Sequence, residues 1–407
     1  MKVFIKTLGC RVNQVESQAV LERFSAQGHA ITQDLREADL CLLNTCSVTH
    51  NADRDAEREI RKISRENPQA HLIITGCYAM AKKNEILAAH PTAQVVLKTD
   101  LGPALFGGHM DWTVKSHAGR TRAFVKIQDG CDCFCSYCIV PYARPQKTSK
   151  PKEILLAEIK DLIARGYREI VLTGINIGNY QCPQTGQDLA AVMPDIFALG
   201  GGFRLRFSSI EINTITDGLL AACRAGGQKF CNYFHIPLQN GSDAVLQNMR
   251  RRYTAGRYLA RLADIRAQIP RAAIFCDIIA GYPSETKENF EESLRFLDAA
   301  GFAGMHVFSY SRRAGTPAAA MEQVPDKEIR RRADILHAKD KALRAAFAQS
   351  LVGTEQQFLA EEATASAVSG VLSNFQRAVV KGAHPTGNFM RVKITSAQSG
   401  VCHGVLF

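Results

Sequence analysis

Short apolar runs alternate along this chain with longer stretches in which apolar residues recur at helical spacing. In the first part, residues 3–8, 40–43 and 71–75 are rich in Val, Ile and Leu, as strands buried on both faces of a parallel sheet must be. Residues 16–27 and 52–67 carry the helical period between them, the second with opposite charges at i,i+3 and i,i+4 spacing. Residues 93–121, with Gly102-Pro103, Gly107-Gly108 and Trp112, read as a connecting segment. The alternation then resumes, with strands predicted at 123–128, 169–172, 204–207, 233–236, 273–279 and 305–308. Helical patterns follow at 153–165, 189–199, 217–224, 255–268, 286–300 and 326–347. Six such units in one segment predict an incomplete barrel of the TIM type, with the active site at the strand carboxyl ends. Beyond residue 353 the pattern changes to apolar/polar alternation at 356–359, 378–380 and 389–394, with Gly370, Gly382 and Gly387 at turns. A small antiparallel β-barrel is predicted there. The expected class is α/β: an open parallel sheet domain over 1–115, a partial (βα)6 barrel over 116–350 and a small β-barrel over 351–407.

Composition narrows the setting. No apolar run in the 407 residues reaches the length of a membrane span, and the chain opens directly into a strand. No membrane association and a cytoplasmic location are therefore expected, and a monomer is favoured. In that compartment the thirteen cysteines are expected to be metal ligands, reactive thiols and core residues in preference to disulfides. The net charge of +11 is gathered in Arg250-Arg251-Arg252, Arg312-Arg313, Arg330-Arg331-Arg332 and the stretch from Arg144 to Lys152. Such a surface suits a polyanion, although any one run also reads as a solvated helix face. In the tail, Phe375 and Phe389 interleave with Arg377, Lys381, Arg391 and Lys393, a pattern that suits RNA.

The cysteines carry the chemistry. Cys131, Cys135 and Cys138 stand in a C-x3-C-x2-C loop behind the first barrel strand, a spacing that can supply three ligands to a cubane iron–sulfur cluster. Three ligands leave one iron open, where S-adenosylmethionine could chelate. Tyr137 and the apolar Ile139-Val140-Pro141 would shield such a cluster. With Cys133 counted, the same loop would also suit a structural zinc, although no second Cys or His pair follows at zinc-like distance. Cys10, Cys46 and Cys77 each end a predicted strand of the first domain, after Gly or Thr. In a parallel sheet those ends share one edge, where open α/β sheets bind ligands. A second three-cysteine cluster is expected there; the alternative is three core thiols, as Cys41 within its strand is expected to be. Other barrel strand ends offer Gly174 and Asn176, Ser209 and Glu211, His235 and Gln239, and Asp277 and Gly281, residues suited to close backbone approach and to a ribose.

Several long runs resemble the radical-SAM methylthiotransferases, and the resemblance covers essentially the whole chain. They are Thr7 to Gln14, Asn44 to Thr49, Thr75 to Ala79, Gly130 to Tyr142, Phe234 to Gln239, Asp277 to Gly281 and Tyr310 to Pro317. The resemblance implies two 4Fe-4S clusters, one on Cys131, Cys135 and Cys138 with S-adenosylmethionine, the other on Cys10, Cys46 and Cys77. Cofactor contacts are expected from Tyr137, Gly174, Asn176, Ser209, Glu211, Gln239 and Gly281. The runs around Cys10 and Cys46 are most similar to the branch that adds a methylthio group to C2 of N6-threonylcarbamoyladenosine at position 37 of tRNA. Sister branches act on isopentenyladenosine or on a ribosomal-protein aspartate. The implied partners are a tRNA anticodon stem-loop and an electron donor such as flavodoxin or ferredoxin. The tail is implied to be a TRAM domain. Cys133, Pro145, Lys150 and Ala314 depart from the family's usual residues. An alternative of another class is a non-catalytic iron–sulfur protein that binds RNA.

Overall fold

The computed structural model describes residues 1–117 and 119–407. Strands β1 (Lys2–Thr7), β2 (Ala30–Ile31), β3 (Leu40–Thr45), β4 (His71–Gly76) and β5 (Gln94–Val95) pair in parallel, in the order β2-β1-β3-β4-β5. Every residue of β3 is buried, as a central strand covered on both faces requires. Helix α1 (Arg11–Ala26) packs Val15, Ala19, Val20 and Phe24 on Leu40 and Leu42. On the other face α2 (His50–Glu66) packs Ala56, Ile60 and Ile63 on Cys41 and Leu43. Cys41 is thus a core thiol, as expected. α1 starts directly behind Cys10, earlier than the apolar period suggests, and its first turn already buries Val12 and Asn13.

The second unit is built on β6 (Arg122–Asp129), β7 (Thr148–Ser149), β8 (Glu169–Gly174), β9 (Arg204–Phe207), β10 (Tyr233–His235), β11 (Ala273–Ala280) and β12 (Gly304–Ser309). β6, β8 and β9 run parallel, as do β10, β11 and β12. Parallel bridges from Leu205 to Phe230 and from Ser209 to His235 join the two halves. The six strands predicted from sequence therefore form one curved, open barrel, with β7 as a short antiparallel addition to β6. Ile170, Leu172, Leu205, Phe207, Phe234, Ile236, Ile274 and Ile278 lie in the core beneath the surrounding helices. By strand alternation, Arg206, Ser208, His235, Asp277 and His306 face the barrel interior.

Residues 93–121 do more than connect. Val96, Leu101, Met110 and Val114 share one core with Val3 of β1 and Val15 of α1 and with Phe124 and Val171 of the barrel. Residues Leu101–Phe106 form a short helix within this segment.

The tail closes as β13 (Glu355–Ala363), β14 (Ala367–Leu372), β15 (Arg377–Lys381), β17 (Val401–Leu406) and β16 (Phe389–Gln398), in that order around the barrel. The prediction of an antiparallel barrel needs one correction: β15 and β17 pair in parallel. A closed ring of five strands cannot alternate direction all the way round. A second correction concerns the aromatics. The Phe375 ring lies 4.0 Å from the Arg206 guanidinium and the Phe389 ring 5.2 Å from that of Arg204, so both rings meet barrel arginines. Arg204 is fully buried and reaches the carbonyls of Gln357, Val371 and Leu372 at 3.2 to 3.4 Å, fastening the tail to the barrel. Among the described residues, no helix is long and apolar enough to cross a membrane.

Candidate functional site

A cavity of about 1120 Å³ lies where the three units converge. The sheet domain contributes Cys10 and Arg11, the barrel contributes Cys131, Cys133, Cys135 and Cys138, and the tail contributes Phe375 and Arg377. Cys10 of the amino-terminal set and all three cysteines of the barrel set thus reach one space.

Backbone geometry gathers the amino-terminal set. Gly9 and Gly76 have φ of +96° and +98°, which favours glycine. A Cβ on Gly9 would lie 2.4 Å from Cys46 Cβ and 2.8 Å from Cys46 Sγ, and one on Gly76 would lie 2.2 Å from the Thr45 carbonyl oxygen. No other residue type fits at either strand end. The Asn13 amide locks the arrangement by donating to the Leu8 and Thr45 carbonyls at 2.8 and 2.9 Å. Cys10 is exposed, whereas Cys46 and Cys77 are buried behind it. Burial pushes the Cys46 and Cys77 thiols up, and the Arg144 guanidinium beside Cys77 opposes it.

The barrel loop is held from the opposite side. Ser136 N donates to the Met249 carbonyl at 3.1 Å and Ser136 Oγ to that of Asn248 at 2.8 Å. Cys138 N donates to the Cys135 carbonyl at 3.0 Å, curling the two thiols to one side. Burial raises the thiols of Cys135 and Cys138, the latter to about 12. Arg251 opposes this at Cys135, its Nη1 lying 3.2 Å from Sγ while Nη2 pairs with Glu211 at 2.5 Å. Each cysteine set therefore has one buried arginine beside it, and a nearby cation favours thiolate. Cys133 N donates to Cys131 Sγ at 3.5 Å, and the Cys133 thiol favours the Cys131 thiolate.

The donors fit the groups expected from sequence. Two sets of three thiols suit two clusters that each lack one protein ligand. The cavity also holds polar atoms with no partner among the described residues: Asn176 Oδ1, Ser208 Oγ and Tyr310 Oη are buried and unsatisfied. Buried polar atoms in native proteins are normally paired, so these three suit a polar cofactor.

Tyr137, Gly174, Asn176, Ser209, Glu211 and Gln239 all line the cavity. Gly281 does not. It has φ of +72°, its N–H donates to Glu285 at 2.8 Å, and a Cβ there would lie 2.5 Å from Ile329 Cγ1. It shapes a turn beneath the long helix Asp326–Ser350. The close approach at Gly174 is to the Gln128 carbonyl, 2.8 Å from where its Cβ would be.

Three groups were missed by the sequence reading. Arg251 and Arg144 lie in basic stretches that read as surface, and the partners of each are distant in the chain. The third is His306, which joins His235 and Asp277, both singled out from sequence: Asp277 Oδ1 accepts from His235 Nε2 at 2.7 Å and from His306 Nδ1 at 3.2 Å. Burial would raise the Asp277 carboxyl, but the two histidines hold it below the usual carboxylate range. The alternation of β10, β11 and β12 could have placed these residues together; nothing in the sequence singled out His306. The basic runs likewise each lose a member to the interior: Arg313 pairs with Asp53 of the sheet domain at 2.5 Å, and Arg332 with Glu285 at 2.7 Å.

Residues 2–98 match the uncharacterized protein family UPF0004, and residues 125–297 match the Radical SAM superfamily. A threonylcarbamoyladenosine tRNA methylthiotransferase MtaB of Chlamydia pneumoniae is 35% identical over 378 residues, 91% of this chain and 89% of that protein. The protein of the same name from Bacillus subtilis (strain 168) is 33% identical over 425 residues, 97% of this chain and 94% of its own. A tRNA-2-methylthio-N(6)-dimethylallyladenosine synthase of Cereibacter sphaeroides (strain ATCC 17023) is 32% identical, covering 97% and 96% of the two chains. Among solved structures, the radical S-adenosylmethionine methyltransferase TsrM from Kitasatospora setae superposes with a TM-score of 0.59 at 12% identity. That match covers 78% of this chain and 74% of TsrM, and at that identity the likeness is one of fold.

Proposed function

The chain belongs to the radical-SAM tRNA methylthiotransferase family, and from that premise we propose that it adds a methylthio group to C2 of N6-threonylcarbamoyladenosine at position 37, beside the anticodon. The observation that carries the reading is the shared cavity, reached by Cys10 from one side and by Cys131, Cys135 and Cys138 from the other. In this reading Cys131, Cys135 and Cys138 hold one 4Fe-4S cluster, and Cys10, Cys46 and Cys77 hold the second. When bound, the clusters and S-adenosylmethionine supply the radical cleavage of the C2–H bond and the sulfur that replaces the hydrogen.

The protein's own residues do the rest. Asn176, Ser209, Glu211 and Gln239 offer polar contacts to S-adenosylmethionine, with Tyr137 and Gly174 shaping the space around it. The Arg251 and Arg144 cations stabilise thiolates in a buried setting. Convergence of the three units encloses the base and excludes water, which would otherwise compete for a reactive carbon. Basic residues at the rim, such as Arg377, position the RNA by its phosphates. The proposal extends to a flavodoxin or ferredoxin as reductant, and to a monomeric enzyme in the cytoplasm beside its tRNA.

The experiment is a nucleoside profile of tRNA from a strain lacking the gene, with and without its restoration. Loss of the methylthio group from threonylcarbamoyladenosine alone supports the reading. Loss from isopentenyladenosine instead assigns the chain to the sister substrate, and an unchanged profile overturns the tRNA reading.

A further inference from the structure

Among the described residues, Arg11 is a cavity cation with no carboxylate at ion-pair distance. It follows Cys10 directly, lines the cavity and is half-buried. Its guanidinium lies 5.4 Å from the centre of the Phe124 ring. The carboxylates around the cavity are already engaged. Glu169 holds Arg204 and Arg206 at 2.7 Å each, and Glu361 holds Arg122 at 2.7 Å. Glu211 holds Arg251, and Asp277 holds two histidines. Glu362, the other carboxylate of the lining, is exposed on the tail. Arg206 lies behind this wall with its guanidinium 4.0 Å from the Phe375 ring, and among the described residues neither terminal nitrogen has a hydrogen-bond partner. Positive charge therefore exceeds negative charge around Arg11.

We propose that Arg11 receives the carboxylate of the threonyl group of the substrate nucleoside and so determines specificity for that base. The inference rests on the substrate proposed above. An N6-threonylcarbamoyl group ends in a carboxylate that a guanidinium can grip through two parallel hydrogen bonds. An apolar prenyl group offers nothing to it and would leave the half-buried cation unpaired. Sites that pair a buried polar group with the substrate discriminate strongly against analogues lacking that group.

The test uses the full-length, cluster-loaded protein and two anticodon stem-loop RNAs, one carrying threonylcarbamoyladenosine and one carrying its neutral carboxamide analogue. Binding and methylthio formation are measured for wild type, Arg11→Gln and Arg11→Lys, with iron content checked in each. For wild type we expect at least about tenfold tighter binding, and a correspondingly higher kcat/KM, for the carboxylate RNA. Arg11→Gln should bind both RNAs alike at the carboxamide level, and Arg11→Lys should recover part of the difference. Equal treatment of the two RNAs by wild type overturns the inference without reference to any variant. Two further results also overturn it: Arg11→Gln that keeps the wild-type ratio, and Arg11→Gln that weakens both RNAs equally, as a phosphate contact would. A wild type that methylthiolates neither RNA but does so on isopentenyladenosine defeats the substrate reading itself, a separate result.

Discussion

Arg144 donates to the Glu16 carboxylate through both terminal nitrogens, Nη1 at 2.8 Å to Oε1 and Nη2 at 3.0 Å to Oε2. Arg144 follows the cysteine loop of the barrel, and Glu16 lies on α1 of the sheet domain, so this pair crosses the boundary between the two cysteine sets. The same guanidinium reaches Asp129 at 2.6 Å and Asn13 at 2.9 Å, and Asn13 in turn holds the strand ends that carry Cys10 and Cys46. Lys126 and Lys98 also reach Glu16. One buried network therefore sets the position of one cysteine set relative to the other.

Arg144→Met should destabilise the protein by at most about 3–5 kcal/mol, the cost of breaking a buried ion pair, because Lys126 and Lys98 still reach Glu16 and Lys126 still reaches Asp129. Urea unfolding of the cluster-loaded protein measures this. Arg144→Lys should recover only part of the loss, since an ammonium cannot reproduce a forked guanidinium. A change within experimental error for Arg144→Met would mean that the network does not join the domains.

Arg251 contacts Cys135 Sγ, so its removal should act on that cluster and spare the other. Arg251→Gln is expected to make the reduction potential of the barrel cluster more negative. Formation of 5′-deoxyadenosine should fall about 10- to 100-fold, the usual cost of losing a group that supports a metal ligand. An EPR-monitored redox titration separates the two clusters. A shift of the amino-terminal signal alone would contradict this assignment.

Glu169 gives the fold an acid-sensitive point. Burial would raise its carboxyl, but Arg206, Arg204 and Arg122 bring it down to about 2, below an unfolded value of about 4.3. A depressed folded pKa contributes stability that is present above the unfolded value and is lost as pH falls from there toward 2. The contribution at neutral pH is of the order of 3 kcal/mol. Urea midpoints of wild type should fall between pH 5 and pH 3, and the gap between wild type and Glu169→Gln should narrow over that window. A gap that stays constant would mean the carboxylate is not held by the three arginines.

Much of this architecture is legible in the chain because it follows from periodicity. Strand alternation and parallel sheet direction together place Cys10, Cys46 and Cys77 on one edge, and six βα units imply the open barrel. The groups that tune the site are less legible, because they act across long sequence separations. Arg251 meets Glu211 and Cys135, and Arg144 meets Glu16, only once the fold is formed. Arg250, Arg251 and Arg252 look alike in sequence, yet only Arg251 is drawn inward, to the cysteine loop. Gly281 misleads in the other direction: it stands at a strand end but serves packing against Ile329. In the tail, 401–406 joins the ring in parallel to β15, a pairing fixed by closure and by nothing local.

The central claim is that two separate three-cysteine clusters open onto one cavity. Iron and sulfide content after anaerobic reconstitution, for wild type, Cys10→Ala and Cys131→Ala, tests it most directly. Two independent cubanes predict about eight irons in wild type and about four in each variant. About four irons in wild type, with nearly all of them lost in both variants, would contradict it.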